Sequence, residues 1–335
     1  MATSISGGYM NSRQRFRETM SFGQPDRVPF FEEGIRDDVL KAWKKQGMPS
    51  GVSVEELFSI DRRADIQPEL EPHPDLTKWP TERSDLAALE RGLDANDPWR
   101  LPAGWTEFVH SPSRYENAIT LRVHRGLFQT LGVAGWKRFE ELIYLFKDDP
   151  ELVQAALEIQ AHFAAQLMQK VLSDVEVDAA IFSEPISDNN GPLISPQMFE
   201  QFAKISYRPV LDLLNRYGVE TIIFRTYANA GILVPVALKW GFNCLWACEV
   251  YPGTMDYEVM RREYGRDLRL IGGIDVDVLR QDEETIRREV ELKVPSLLEE
   301  GGFVPLADGR IRDYVPYENY VFYRSLLTKV VSGDF

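Results

Sequence analysis

Strict alternation of short apolar runs with helix-length stretches in the second half of the chain constrains the fold more than any other feature of these 335 residues. Val177 to Phe182 (VDAAIF) has strand length and ends at Ser183-Glu184-Pro185. Ser195-Pro196 then opens a helix, with serine as cap and proline in the first turn, and Gly218 ends it. Glu220 to Phe224 is the next strand, followed by a helix over Ile232 to Trp240 that stops at Gly241. The pattern continues with a strand over Asn243 to Val250, a helix over Met255 to Tyr264 and a strand over Leu268 to Ile274. It closes with a helix over Glu283 to Glu300, a strand over Phe303 to Leu306 and a helix over Tyr317 to Val331. Apolar strands alternating with helices predict a parallel sheet with helices outside.

The first half is less regular. Arg27 to Glu33 is strand-like, Asp37 to Gln46 helical, Asp65 to Glu71 extended and Ala118 to Val123 strand-like. Prolines and tryptophans crowd residues 72–118, which predicts an elaborated loop region. Pro150 to Leu172 carries Val153, Leu157, Phe163, Ala164, Leu167 and Val171 at helical spacing, so it reads as a long core-facing helix. Eight strand positions result. They predict an α/β fold, a single (β/α)8 TIM-type barrel domain over residues 1–335 with an elaborated N-terminal half and a disordered tail over 1–10. A doubly wound sheet is the rival, but no glycine-rich phosphate turn follows Val28 to Phe31.

Composition bounds the partners. Lys plus Arg number 38 against 52 Asp plus Glu, so the net charge is −14. That disfavours generic nucleic-acid or anionic-membrane binding. No run approaches a membrane-spanning length, and Met1 to Met10 lacks the pattern of a signal peptide. The expected location is the cytoplasm.

A barrel carries its active site at the C-terminal ends of its strands. There the sequence places Glu32, Glu33 and Arg36, then Arg122, His124 and Arg125, then Glu184, then Arg225, Tyr227 and Asn229. Cys248, Glu249, Asp275, Asp308 and Arg310 complete the set. Arginine forks bind carboxylates in a bidentate manner at any working pH, so this mixture points to an anionic small-molecule substrate. Glu33, Arg36, Arg122, Arg225, Asn229 and Arg310 are the candidate substrate-binding residues. Glu184, Tyr227, Asp275 and His124 are the candidate catalytic groups. The blander alternative is a set of rim salt bridges. Cys244 and Cys248 sit about 13 Å apart along an extended strand, too far to share one zinc. Cys248, Glu249 and Asp308 remain as candidate metal donors. HExxH, GxSxG and P-loop signatures are absent.

Four stretches carry a resemblance: PDRVPFFEEGI from Pro25, NGPLISPQMFEQF from Asn190, LRLIGGIDVDVL from Leu268, and EEGGFVPLADGRIRDYVPYENYVFY from Glu299. Together they resemble the uroporphyrinogen decarboxylase and cobalamin-dependent methyltransferase superfamily, over roughly residues 10–332. The resemblance implies an (α/β)8 barrel. True uroporphyrinogen decarboxylases carry paired arginines after the first strand, where this chain has FFEEGIRDD with Arg36 alone. The thiol-methylating branch holds zinc through His-x-Cys and a late cysteine, where this chain has Arg225-Thr226-Tyr227 and Ala307-Asp308-Gly309. Methyltransferase-like members resemble it most closely, with an acidic residue matched by Glu184 and a glutamate matched by Glu249. The expectation is methyl transfer between a small donor and a corrinoid or thiol acceptor, with a divalent metal such as zinc and a corrinoid-carrying partner protein. The alternative is metal-free decarboxylation or lyase chemistry on a small polycarboxylate or tetrapyrrole-like anion, and a third reading is a non-catalytic sensor. The family includes dimers, so a homodimer is an open expectation. Trp79 to Trp105 reads first as an ordinary loop layer packed on the barrel, the alternatives being a cover for the mouth or a subunit contact.

Overall fold

A computed structural model describes residues 9–250 and 252–333. The tail expected over residues 1–10 lies outside these apart from Tyr9 and Met10, whose N–H donates to Asp26 at 3.2 Å. The chain divides into two compact units, each assembled from discontinuous segments. The described residues of one fall within Met1–Ala64, Pro112–Ala118 and Cys244–Phe335; those of the other within Asp65–Ser111 and Ile119–Asn243. The class is α/β with parallel strands.

Seven of the eight expected strand positions are strands. They are Arg63–Ile66, Ala118–His124, Ala179–Glu184, Thr221–Tyr227, Cys244–Cys248, Arg269–Ile274 and Phe303–Ala307. The eighth expectation, Arg27 to Glu33, is corrected: no strand forms there. The Phe30 N–H donates to the Asp61 carboxylate at 2.7 Å, and the Phe30 carbonyl accepts the Asp61 N–H at 2.8 Å. Both backbone groups are thereby taken by one residue instead of a neighbouring strand. A parallel bridge between Ile35 and Ile311 is what remains of the expected pairing.

In the unit built around residues 119–243, Ala179–Glu184 pairs in parallel with Ala118–His124 on one side and Thr221–Tyr227 on the other. The helix Pro196–Arg216 covers one face. Its cap is Ser195, whose hydroxyl accepts the Met198 N–H at 3.2 Å, and its first residue is proline. The helix Pro150–Asp174 starts the same way from Asp149. It buries twelve of its 25 residues, which makes it the principal core helix of this unit. The loop region expected at 72–118 contains short helices, including Leu86–Arg91 and Trp105–His110. The sequence reading also missed the helix Trp136–Asp148 and a two-residue ribbon pairing Ser187–Asp188 with Gly191–Pro192.

In the other unit, Cys244–Cys248, Arg269–Ile274 and Phe303–Ala307 form a parallel trio. Tyr257 pins its first two strands: its hydroxyl donates to the Ile271 carbonyl at 2.5 Å and accepts the Ala247 N–H at 2.9 Å. Its ring lies so close that a Cβ on Gly273 would sit 2.8 Å away, and Gly273 has a φ of +89°. Only glycine meets both demands cheaply. No described helix is long and apolar enough to cross a membrane.

Candidate functional site

In parallel strands, residues paired in register point to the same side, and neighbours along a strand point to opposite sides. Arg122 pairs with Ile181, Ile181 with Ile223, and Ser183 with Arg225. Arg122, Ser183, Arg225 and, by alternation, Tyr227 therefore share one face of the sheet. All four are half-buried. The Arg225 guanidinium lies 5.7 Å from the centre of the Tyr227 ring.

His124 and Glu184 belong to the opposite face. The register slips between Arg122 and His124, so His124 pairs with Phe182. One extra residue turns the His124 ring to the helix side. There it stacks 6.0 Å from Phe182 and meets Tyr207 edge-on at 4.4 Å. Its Nδ1 accepts the Gly126 N–H at 2.9 Å. Burial, reinforced by the charge of Arg125, pushes its pKa down to about 3, so the ring is neutral at ordinary pH.

Glu184 is fully buried. Its two carboxylate oxygens accept the Leu127 N–H at 3.1 and 2.9 Å, and one accepts the Tyr207 hydroxyl. The Glu184 carbonyl accepts the Thr226 hydroxyl at 3.1 Å. Burial raises its pKa to about 7, against the opposing pull of these hydrogen bonds. Asn229 is tied to the ribbon, its N–H donating to the Asp188 carbonyl at 3.1 Å.

The other unit holds the remaining candidates. Asp275 and Asp308 line one cavity of about 260 Å³, together with Val250, Tyr257, Glu289 and Lys293. The two Asp308 carboxylate oxygens accept the N–H groups of Val250 and Val276, each at 2.9 Å. Burial raises its pKa to about 7. Burial also raises Asp275, whose side chain caps the turn at Asp277. Glu249 has a φ of +47° and forms an ion pair with Arg312 at 2.5 Å. Cys248 is buried. Arg36 is exposed and pairs with Asp38 at 3.1 Å. Glu33 is half-buried, and Arg310 is exposed with its Nε 3.6 Å from where a Cβ on Gly34 would lie.

The donors marked for a metal do not fit one. Among the described residues no three His, Cys, Asp or Glu side chains are grouped as a metal ion requires. Asp308 spends its oxygens on backbone N–H groups, and Glu249 on Arg312.

Ser183, Tyr207, Glu289, Lys293 and Arg312 escaped the sequence reading. Ser183 carried a signal, because register with Arg225 follows once the strands are aligned. Tyr207 carried none, being one aromatic residue on the buried face of an amphipathic helix.

This is an α/β protein with polar groups at the C-terminal ends of parallel strands. The chain belongs to the uroporphyrinogen decarboxylase (URO-D) family, whose model matches residues 131–303. No curated protein matches it by sequence. Among solved structures it is similar to a glycosylated endo-β-1,4-xylanase of glycoside hydrolase family 10 from Gloeophyllum trabeum. That match has 8% identity and a TM-score of 0.42, covering 70% of this chain and 82% of that one. It is also similar to a putative vitamin-B12 independent methionine synthase from Listeria monocytogenes. There the identity is 10% and the TM-score 0.41, covering 92% of this chain and 97% of that one.

Proposed function

We propose that the chain is a carboxy-lyase acting on a small polycarboxylate or tetrapyrrole-like anion, on the TIM-type barrel that its family resemblance implies. The observation that carries this reading is the placement of Arg122 and Arg225 on one sheet face with Ser183 between them. They lie two strands and two residues apart, about 12 Å between backbones by strand spacing and rise. Two long guanidinium side chains so placed suit a substrate whose carboxylates are separated by several bonds.

In the proposed reaction the arginines hold the carboxylates that stay. The bond from carbon to the departing carboxylate breaks, CO₂ leaves, and the electron pair passes into the substrate's own π system. The Tyr227 phenol, beside Arg225, then delivers a proton to that carbon. The neighbouring guanidinium stabilises the transient phenolate, which water reprotonates. Incubation with a panel of polycarboxylates and uroporphyrinogen, reading CO₂ release, tests this. An Arg225→Ala variant as active as the wild type would refute it.

Methyl transfer is the second reading. It is favoured by Glu184, ahead of the Asn190 motif, and by Glu249, the two acids that match the methyltransferase-like branch. Transfer of a labelled methyl group to a thiol or to a corrinoid protein, with no CO₂ released, would select it.

A further inference from the structure

We propose that Glu184 is a positioning residue that sets the spacing of the two arginines from behind the sheet. This rests on the reading of the arginine face as the binding site. Glu184 touches three strand ends at once. Its carboxylate holds the Leu127 N–H, three residues beyond the strand that carries Arg122. Its own strand carries Ser183. Its carbonyl holds the hydroxyl of Thr226, which stands between Arg225 and Tyr227. Tyr207, on the helix Pro196–Arg216, donates to the same carboxylate and fixes its orientation.

The packing leaves this arrangement no slack. A Cβ on Gly126 would lie 2.8 Å from a Glu184 carboxylate oxygen and 2.8 Å from the Ser183 carbonyl oxygen. The chain turns there with a φ of +101°, which glycine adopts readily. The titratable and charged groups around Glu184 are Tyr207 from the helix, and His124 with its neighbour Arg125 from the adjacent strand end. His124 is neutral and Arg125 pairs with Glu71, so neither competes with the Leu127 and Tyr207 bonds for the carboxylate. A carboxylate accepts the Leu127 and Tyr207 bonds together, whereas a carboxylic acid or an amide gives up part of that acceptor capacity.

The test is binding of ethane-1,2-disulfonate, a dianion of constant charge, at low salt from about pH 6 to about pH 8, on either side of the Glu184 ionisation. Wild type, Glu184→Gln, Tyr207→Phe, Arg122→Gln and Arg225→Gln are compared, with folding checked by circular dichroism. The expected result is weaker binding by about tenfold in Glu184→Gln at the upper pH, the equivalent of one lost hydrogen bond to a charged group. Wild-type affinity falls toward the lower pH, and that step is absent from Glu184→Gln. Tyr207→Phe weakens binding in the same direction and serves if Glu184→Gln does not fold. Arginine variants that lose binding while Glu184→Gln and Tyr207→Phe keep wild-type affinity at every pH would overturn the positioning role alone. Wild type without binding, or arginine variants that bind as wild type, would overturn the arginine site and the positioning role with it.

Discussion

Arg122 and His124 stand two residues apart on one strand, yet they point to opposite faces of the sheet, because the register slips by one residue between them. Arg122 joins Ser183 and Arg225, while His124 joins Glu184 and Tyr207 against the helix. The polar groups of one strand end are thereby sorted into a half-buried arginine face and a buried support behind it.

Gly126 is the tightest point of that support. Alanine there must adopt a φ of +101° and place its Cβ 2.8 Å from the Ser183 carbonyl oxygen. Gly126→Ala should destabilise the protein by about 2 kcal/mol or more, measured by urea denaturation. A change below about 0.5 kcal/mol would show that the turn relaxes freely.

The buried carboxylates make stability fall as pH rises. Glu184 and Asp308 are each raised to about 7 in the folded chain, so between the unfolded carboxylate range and about pH 7 the native state binds more protons than the unfolded one. Their contribution is fully present below the unfolded pKa and is lost as pH rises through about 7. Glu184→Gln and Asp308→Asn should each flatten the pH dependence of denaturation midpoints in that window. An unchanged slope in both would contradict the burial argument.

His124 works in the opposite sense. Its folded pKa is depressed to about 3, so the unfolded state binds the extra proton below the ordinary imidazole value. Stability is lost as pH falls from about 6.5 toward 3. His124→Asn should lessen this acid-side loss, read from midpoints between about pH 6 and pH 4. A wild-type slope in the variant would show that His124 ionises as freely in the folded chain.

Tyr257 and the ion pair of Glu249 with Arg312 provide a contrast within the other unit. Tyr257→Phe removes a donor to Ile271 and the acceptor for Ala247 N–H, and should cost about 2 kcal/mol because the partners are buried. Arg312→Ala breaks a pair whose side chains are 38% and 48% exposed. It should cost at most about 1 kcal/mol. Equal losses in the two variants would contradict the difference in burial.

The strand–helix alternation was legible in the sequence because apolar runs and glycine stops are local signals. Arg27 to Glu33 looked like a strand for the same reason, but the distant Asp61 occupies the Phe30 backbone. Arg122, Arg225 and Tyr227 were legible as strand-end groups. Which face each would take was not, since alternation alone puts His124 beside Arg122 and only the register slip separates them. Glu184 was legible as an acid at a strand end. Its role behind the sheet depends on Tyr207, more than twenty residues away on a helix.

The proposed activity requires the arginine face to bind a carboxylate substrate for CO₂ loss. The most direct measurement is CO₂ release from the substrate panel by wild type and Arg225→Gln. The expected result is turnover by wild type and a fall in kcat/KM of roughly thirtyfold or more in the variant, equivalent to about 2 kcal/mol of lost charge-assisted bonding. Equal turnover by the two proteins, or methyl transfer without CO₂ release, would contradict it.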